Sequence, residues 1–246
     1  MKKAIIIGAS SGIGREVAKL LLQDGWSVGL AARREEKLLE LKAEVEKEPQ
    51  TGGSQVEVER IDVTSDDAPQ RLRALIERMG GMDLFFYASA IGKVNRELEA
   101  DIELKTVETN TKGFTRMVGE AYRYFAEVGG GHLAAISSIA GTMGLGPAPS
   151  YSATKAFQAT YLEALEQQAY RRGLPIHITD IRPGFVETAL LAGDPYPMML
   201  RPEQVAREIV WAVKHKKHVR IIDWKYRIMT AGWRCLPRWV WRRLPL

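Results

Sequence analysis

The sequence has a single cysteine, Cys235, among 246 residues. An intrachain disulfide and any metal site built from several thiolates are therefore excluded, and no metal is expected. It has no run of eighteen or more apolar residues, so no spanning helix is indicated. No export leader is expected: Met1-Lys2-Lys3 runs straight into Ala4-Ile5-Ile6-Ile7-Gly8. That apolar stretch is too short for a signal-peptide core and has no small-residue cleavage site behind it, so a cytoplasmic location is expected. Internal repeats, low-complexity tracts and long linkers are also missing. One domain over residues 1–222 and a tail over 223–246 is the simplest division.

Acidic residues are missing from one segment. Residues 224–246 carry Lys225, Arg227, Arg234, Arg238, Arg242 and Arg243 and no carboxylate side chain. The remaining 223 residues hold 29 basic against 30 acidic side chains, so the excess of +5 belongs to the tail. A neutral body argues against a general footprint for DNA or RNA, and no nucleic-acid partner is expected.

What is present is an alternation of short apolar runs with segments of helical period. The expected strands are Lys3–Gly8, Ser27–Ala32, Gln55–Ile61, Met82–Tyr87, Gly131–Ser137, Ile176–Ile181 and His218–Ile222. Helical patterns lie near 12–24, 34–47, 66–79, 100–127 with a break near Thr109, 150–172 and 202–216. Continuous apolar runs such as Leu84-Phe85-Phe86-Tyr87 suit strands buried on both faces, which belong in parallel sheets. The expectation is α/β: a Rossmann-type, doubly wound parallel sheet of about seven strands with helices on both faces. Glu48–Ser54, with Pro49, Gly52 and Gly53, reads as a surface loop.

Gly8-Ala9-Ser10-Ser11-Gly12-Ile13-Gly14 follows the first strand and opens a helix. A turn at this place must let the backbone approach a pyrophosphate, which free N–H groups and the positive helix end then hold. The spacing is G-x-x-x-G-x-G rather than G-x-G-x-x-G, and an ordinary glycine-rich turn would look similar. The second strand ends on Arg33-Arg34, where a carboxylate would bind ribose hydroxyls. Two guanidinium groups instead favour NADP(H) over NAD(H), unless they merely begin a charged helix. Asp62 suits an adenine contact or the capping of the next turn equally well.

Tyr151-Ser152-Ala153-Thr154-Lys155 sets Tyr151 and Lys155 on one helix face. Chance alone supplies about half such a pair in a chain with this much Tyr and Lys. Its company raises its meaning: Asn110 in a helical stretch, Ser137-Ser138-Ile139-Ala140-Gly141 at a strand end, and Arg182-Pro183-Gly184 with Thr188 after the sixth strand. In this order and spacing the chain resembles the short-chain dehydrogenase/reductase family over residues 3–222.

That resemblance implies a catalytic set of Ser138, Tyr151, Lys155 and Asn110. It also implies a cofactor site from Gly8, Ser10, Ser11, Gly12, Ile13, Gly14, Arg33, Arg34, Asp62, Val63, Ala88, Tyr151, Lys155, Pro183, Gly184, Val186 and Thr188. Tyr151 would exchange a proton with substrate, Ser138 would steady the same oxygen, and Asn110 would hold a water linking Lys155 to solvent. A free phenol titrates near 10, and a nearby ammonium favours phenolate, so Lys155 is expected to bring Tyr151 down towards working pH. Two departures stand out. Ile7 replaces a usual threonine, and Tyr87-Ala88-Ser89-Ala90 replaces an asparagine-rich segment.

The family places a substrate lid at about 188–202, and here Ala189–Leu200 is apolar and broken by Gly193, Pro195 and Pro197. Met143, Leu145 and Phe185 would add apolar lining. A small apolar ketone, aldehyde or secondary alcohol is the expected substrate, and a homodimer or homotetramer through the helices near 109–127 and 150–172 the implied assembly. Four of the six tryptophans, Trp224, Trp233, Trp239 and Trp241, lie in the tail beside its cations. Such a segment suits packing on its own domain or a partner subunit, and it also suits a peripheral membrane contact. Arg234, Arg238 and Arg242 would form one stripe on a helix, with Pro237 as the expected break. Other readings of the whole are a non-catalytic NADP-binding sensor and a membrane-docked interaction protein on the same fold.

Overall fold

The computed structural model describes residues 1–47, 53–191, 196 and 198–244. Seven strands form one parallel sheet: β1 (Lys3–Ile7), β2 (Ser27–Ala32), β3 (Val56–Arg60), β4 (Leu84–Tyr87), β5 (Gly131–Ile136), β6 (Ile176–Pro183) and β7 (Val219–Ile222). Their spatial order is β3-β2-β1-β4-β5-β6-β7. The order reverses between β1 and β4, and this is the switch point beside which open α/β sheets take their ligands.

Alternation along the strands explains the continuous apolar runs. Ala4, Ile6, Val28, Leu30, Leu84 and Phe86 face one core, while Ile5, Ile7, Ala31, Phe85 and Tyr87 face the other. With side chains alternating at period two, a strand covered on both sides must be apolar at every position. On the first side lie α1 (Gly12–Gln23), α2 (Glu35–Val45) and α7 (Pro202–Lys214), burying Val17, Leu21, Leu38, Leu41, Val205 and Ile209. On the second lie α3 (Ala68–Arg78), α5 (Phe114–Val128) and α6 (Pro149–Arg171), burying Leu72, Leu75, Phe114, Met117, Phe125 and Leu162. The expected layers are thus present, with strand ends shifted by a residue or two.

The break expected near Thr109 is a π-helical turn, Glu108–Gly113, between α4 (Ala100–Val107) and α5. The tail forms α8 (Trp224–Cys235) and α9 (Arg238–Trp241), separated at Leu236-Pro237. Pro237 lacks an amide hydrogen and directly precedes the first residue of α9, so it breaks the run where a proline should. Most of the Glu48–Ser54 loop, residues 48–52, lies outside the described residues, as do 192–195 and 197 of the lid segment.

Candidate active site

The glycine turn closes β1. Gly8 donates its N–H to the Ala31 carbonyl at 2.7 Å and has φ +93°. A Cβ there would lie 2.8 Å from the Ser89 nitrogen, so the turn abuts the end of β4 at Ala88-Ser89. Gly14 permits α1 to approach the same turn, since a Cβ would stand 2.4 Å from the Gly8 oxygen. Gly12 meets Thr188, whose Cγ2 would be 3.2 Å from an added Cβ. Gly8, Ala88, Gly12 and Thr188 therefore converge at the switch point, where the positive end of α1 opens. Ser10 is buried beside them and Ile13 packs onto the core.

Arg34 folds back over this turn, with Nη2 donating to Ser10 Oγ at 3.0 Å and to Ser11 Oγ at 2.8 Å. Arg33 is exposed, and its carbonyl accepts from Arg60 Nε at 3.4 Å. Asp62 caps the following turn: its Oδ1 accepts from the Thr64 N–H at 3.0 Å and from Thr64 Oγ1 at 2.8 Å. Val63 packs on Gly113 of the π turn, where a Cβ would come within 2.8 Å of Val63 Cγ2.

Ser138 follows β5 and caps the short 3₁₀ turn Ile139–Gly141, accepting from the Ala140 N–H at 3.1 Å. Its side chain neighbours the phenol of Tyr151, which stands in the first turn of α6. Gly92 lies flat on the Tyr151 ring, and a Cβ there would be 2.6 Å from Cδ2. Lys155, only 1% exposed, sits one turn further along with its Nζ 5.7 Å from the centre of that ring. Its Nζ donates to the Ile136 carbonyl and to Gln158 Oε1, each at 2.9 Å.

Burial dominates the electrostatics here and corrects one expectation. The Tyr151 phenol is pushed up to about 12 by burial, with Ser138 opposing and the Tyr196 phenol adding to the rise. Burial pushes Lys155 down to about 7, and the Asp180 carboxylate pulls it upward. The lysine was expected to draw the tyrosine down. Instead both groups move towards their neutral forms, because desolvation penalises whichever form is charged. The ammonium is also bonded to acceptors of its own rather than to the phenol.

Asn110 is wholly buried in the π turn, and its side chain fastens the loop after β4. Oδ1 accepts from the Ile91 N–H at 2.9 Å, and Nδ2 donates to the Ile91 carbonyl at 2.7 Å and to Thr154 Oγ1 at 3.2 Å. This holds Gly92 against the tyrosine. The Asn110 carbonyl accepts from Gln158 Nε2 at 2.7 Å, so the connection from Asn110 to Lys155 runs through a side-chain amide.

Several contributing residues escape a reading of the sequence. Gln158 looks like any polar residue on a long amphipathic helix. Asp180 is buried in β6, takes a hydrogen bond from Ser137 and pairs with Arg182 Nε at 2.6 Å. A lone acid within Ile176–Ile181 was its one visible signal. Gly92 carries none.

Beyond β6, Pro183 is buried, and Gly184 donates to the Ile222 carbonyl at 2.8 Å. A Cβ on Gly184 would lie 2.1 Å from the Tyr226 ring. Val186 bridges to Leu200, with Leu200 donating to Phe185 and Glu187 to Leu200, each at 2.9 Å, so the base of the lid segment is pinned. Phe185 stacks on Tyr196 at 4.4 Å between ring centres. Met143 is buried and Leu145 half-buried.

The tail is tied to the loops after β5 and β6. Tyr226 of α8 donates its hydroxyl to the Met198 carbonyl at 3.0 Å. Trp241 of α9 donates its indole N–H to the Gly144 carbonyl at 2.8 Å and packs on Trp233, ring centres 5.3 Å apart. The other side of α8 is different: Trp224, Ile228, Ala231 and Cys235, spaced to share one face, are all exposed. The stripe foreseen for Arg234, Arg238 and Arg242 is divided by the break between the two helices. No described helix is long and apolar enough to cross a membrane.

Comparison with known proteins agrees with this geometry. The sequence model of the short chain dehydrogenases matches residues 2–195. An uncharacterized oxidoreductase of Myxococcus xanthus is 36% identical over 200 residues, covering 80% of this chain and 77% of its own. One from Staphylococcus aureus is 29% identical over 225 residues, covering 89% and 94%. Among solved structures, a short-chain type dehydrogenase/reductase from Mycobacterium ulcerans superposes with a TM-score of 0.82 at 22% identity, covering 99% of this chain and 98% of its own. An alcohol dehydrogenase from Thermococcus sibiricus, in complex with 5-hydroxy-NADP, gives 0.80 at 22% identity, with 90% and 96% covered.

Proposed function

The chain belongs to the short chain dehydrogenase family of oxidoreductases, and on that premise we propose that it interconverts an apolar ketone or aldehyde and the corresponding alcohol with NADP(H). The observation that carries this reading is the meeting of Ser138, Tyr151 and a buried Lys155 at the carboxyl end of β5 beside the glycine turn.

A nicotinamide dinucleotide, when bound, supplies or accepts the hydride. The chain's own part is to bind, orient and move a proton. Gly8 and Gly14 let the turn, α1 and the end of β4 close on one another, since a Cβ at either would collide with backbone, and the N–H groups at the start of α1 are there to take a pyrophosphate. Ser10, Ser11 and Ile13 belong to that turn, Ala88 abuts it, and Val63 follows β3 against Gly113. Arg34, steadied by two serine hydroxyls, is assigned to the 2′-phosphate that distinguishes NADP, with the exposed Arg33 beside it. Asp62, whose other oxygen caps a turn, borders the adenine end. Pro183, Gly184, Val186 and Thr188 border the nicotinamide end.

In reduction Tyr151 gives its phenolic proton to the carbonyl oxygen. A phenol held near 12 carries that proton at neutral pH, as an acid must. The Ser138 hydroxyl donates to the same oxygen and stabilises its developing charge. Lys155, near 7, exists in both forms close to neutrality and meets the phenolate as it forms. Asn110 keeps Gly92 and the Tyr151 ring in register. Met143, Leu145, Phe185 and Tyr196 favour an apolar substrate.

Tyr151→Phe deletes the hydroxyl alone. Turnover of NADPH with a panel of apolar ketones is expected to fall by roughly 10²–10⁴-fold, with NADPH still bound by fluorescence. Wild-type turnover in this variant would overturn the assignment, and NADPH binding without turnover by the native protein would favour a sensor. A second reading concerns the tail: the exposed apolar stripe of α8, flanked by Arg227 and Arg234, fits docking on an anionic bilayer. The homodimer or homotetramer implied by the family would use α5 and α6, where Phe157 and Tyr161 stack at the surface.

A further inference from the structure

We propose that Gln158 is a positioning residue for Lys155: its carboxamide ties the lysine Nζ to the main chain of Asn110 and leaves the Tyr151 side as the place where Nζ exchanges its proton. The inference rests on the reading of Tyr151 and Lys155 given above, and it concerns a residue outside the set that the resemblance implies.

The orientation of the amide is forced by its neighbours. The Asn110 carbonyl only accepts, so Nε2 must face it, at 2.7 Å. A lysine nitrogen is a donor whenever it is charged, so Oε1 must face Nζ, at 2.9 Å. Neither contact survives exchange of the amide oxygen and nitrogen. The residue is wholly buried, as is Asn110, so losing either bond would strand a polar group away from water.

The consequence lies at Nζ. The Ile136 carbonyl and Gln158 Oε1 each take one N–H. Two donors satisfy both acceptors whether the nitrogen is ammonium or amine. The third position is therefore the one that gains or loses a proton, and neither fixed bond breaks when it does. This fits a group that burial brings down to about 7. The ionisable groups facing it are Tyr151 on its own helix and Asp180 on β6, which is already engaged by Ser137 and Arg182. A carboxamide gives up no proton at ordinary pH. Gln158 thus transmits position towards Asn110 and does not pass a proton there.

Two substitutions of similar length read this out in opposite directions. Gln158→Glu sets a carboxylate on Nζ and should raise the Lys155 titration by about one pH unit or more. Gln158→Met removes the acceptor, should lower the titration, and should cut kcat roughly tenfold with little change in KM for the ketone. The titration is followed by NMR of ε-carbon-labelled lysine in the full chain, with the Lys155 signal identified from Lys155→Met, and the pH profile of NADPH turnover should move with it. Circular dichroism establishes that each variant is folded, and either one alone suffices for the test. An unchanged Lys155 titration in the folded variants overturns the proposal. The NMR readout needs no substrate, so it stands even where no ketone is turned over and the assigned reaction itself fails.

Discussion

The floor of the site and the C-terminal segment invert the usual rule of burial in opposite ways. On α6 the polar side chains Lys155 and Gln158 are sealed inside, at 1% and 0% exposure. On α8 and α9 the apolar side chains Trp224, Ile228 and Trp239 stand outside, at 63%, 65% and 64%. Both arrangements cost free energy that an ordinary packing would avoid. They are compensated differently. Lys155 and Gln158 find their partners within the chain, through Ile136 and Asn110. Among the described residues, nothing covers the exposed face of α8. The first region is complete as it stands, and the second asks for something else.

The tail is not wholly outward, and its inward side gives the largest effect to test. Trp241 is buried, donates to Gly144, and packs on Trp233. Trp241→Ala should cost about 3 kcal/mol, lowering the melting temperature by roughly 6–12 °C for a chain of this size. Scanning calorimetry checks it. An unchanged transition would mean that the tail contributes nothing to the loop after β5, and that the whole segment belongs to the outward plan.

Arg34 stands between the two plans, an exposed cation held down by Ser10 and Ser11. Arg34→Ala should weaken NADPH binding by about 10–100-fold, the worth of one to two charged hydrogen bonds, and leave NADH binding nearly unchanged. Equal weakening of both cofactors would reduce Arg34 to a brace of the glycine turn. Titration by cofactor fluorescence separates the two outcomes.

The same contrast explains what the sequence made legible. The sheet could be read because a strand buried on both faces leaves an unbroken apolar run, as at Leu84–Tyr87. The Tyr151–Lys155 pair could be read because helical spacing fixes which residues share a face, and its neighbours in the order of the chain lent it meaning. Gln158 has the same spacing from Lys155 as countless surface residues from theirs. Only the fold reveals that the turn beyond Lys155 is buried against the main chain of Asn110. The direction of the Tyr151 shift was misjudged for a related reason. Spacing shows that an ammonium is near, but not that both groups lie out of water, and burial is the larger influence on each. Gly184 reads as part of a family motif, yet the ring that excludes a Cβ there comes from Tyr226, beyond the part of the chain that carries the resemblance.

The outward face of α8 carries the smallest effects per residue and the sharpest test of the comparison. Trp224, Ile228, Ala231 and Cys235 line it, and Lys225, Arg227 and Arg234 flank it, with no carboxylate among residues 224–244. The remainder of the chain is close to neutral, so another copy of it offers less complementary charge than an anionic bilayer does. Flotation with phosphatidylglycerol vesicles should carry the full chain upward, and phosphatidylcholine vesicles should carry less. Replacing Arg227 or Arg234 by Gln should each cost about 1 kcal/mol, roughly fivefold in partitioning, while Trp224→Ser with Ile228→Ser should abolish it. Full-length protein that stays with the soluble fraction on anionic vesicles would remove the membrane from consideration. If the double serine variant then sediments as a smaller species, the face belongs to a subunit contact. Its Trp224 would in that case be buried in the assembly, as Lys155 is in the chain.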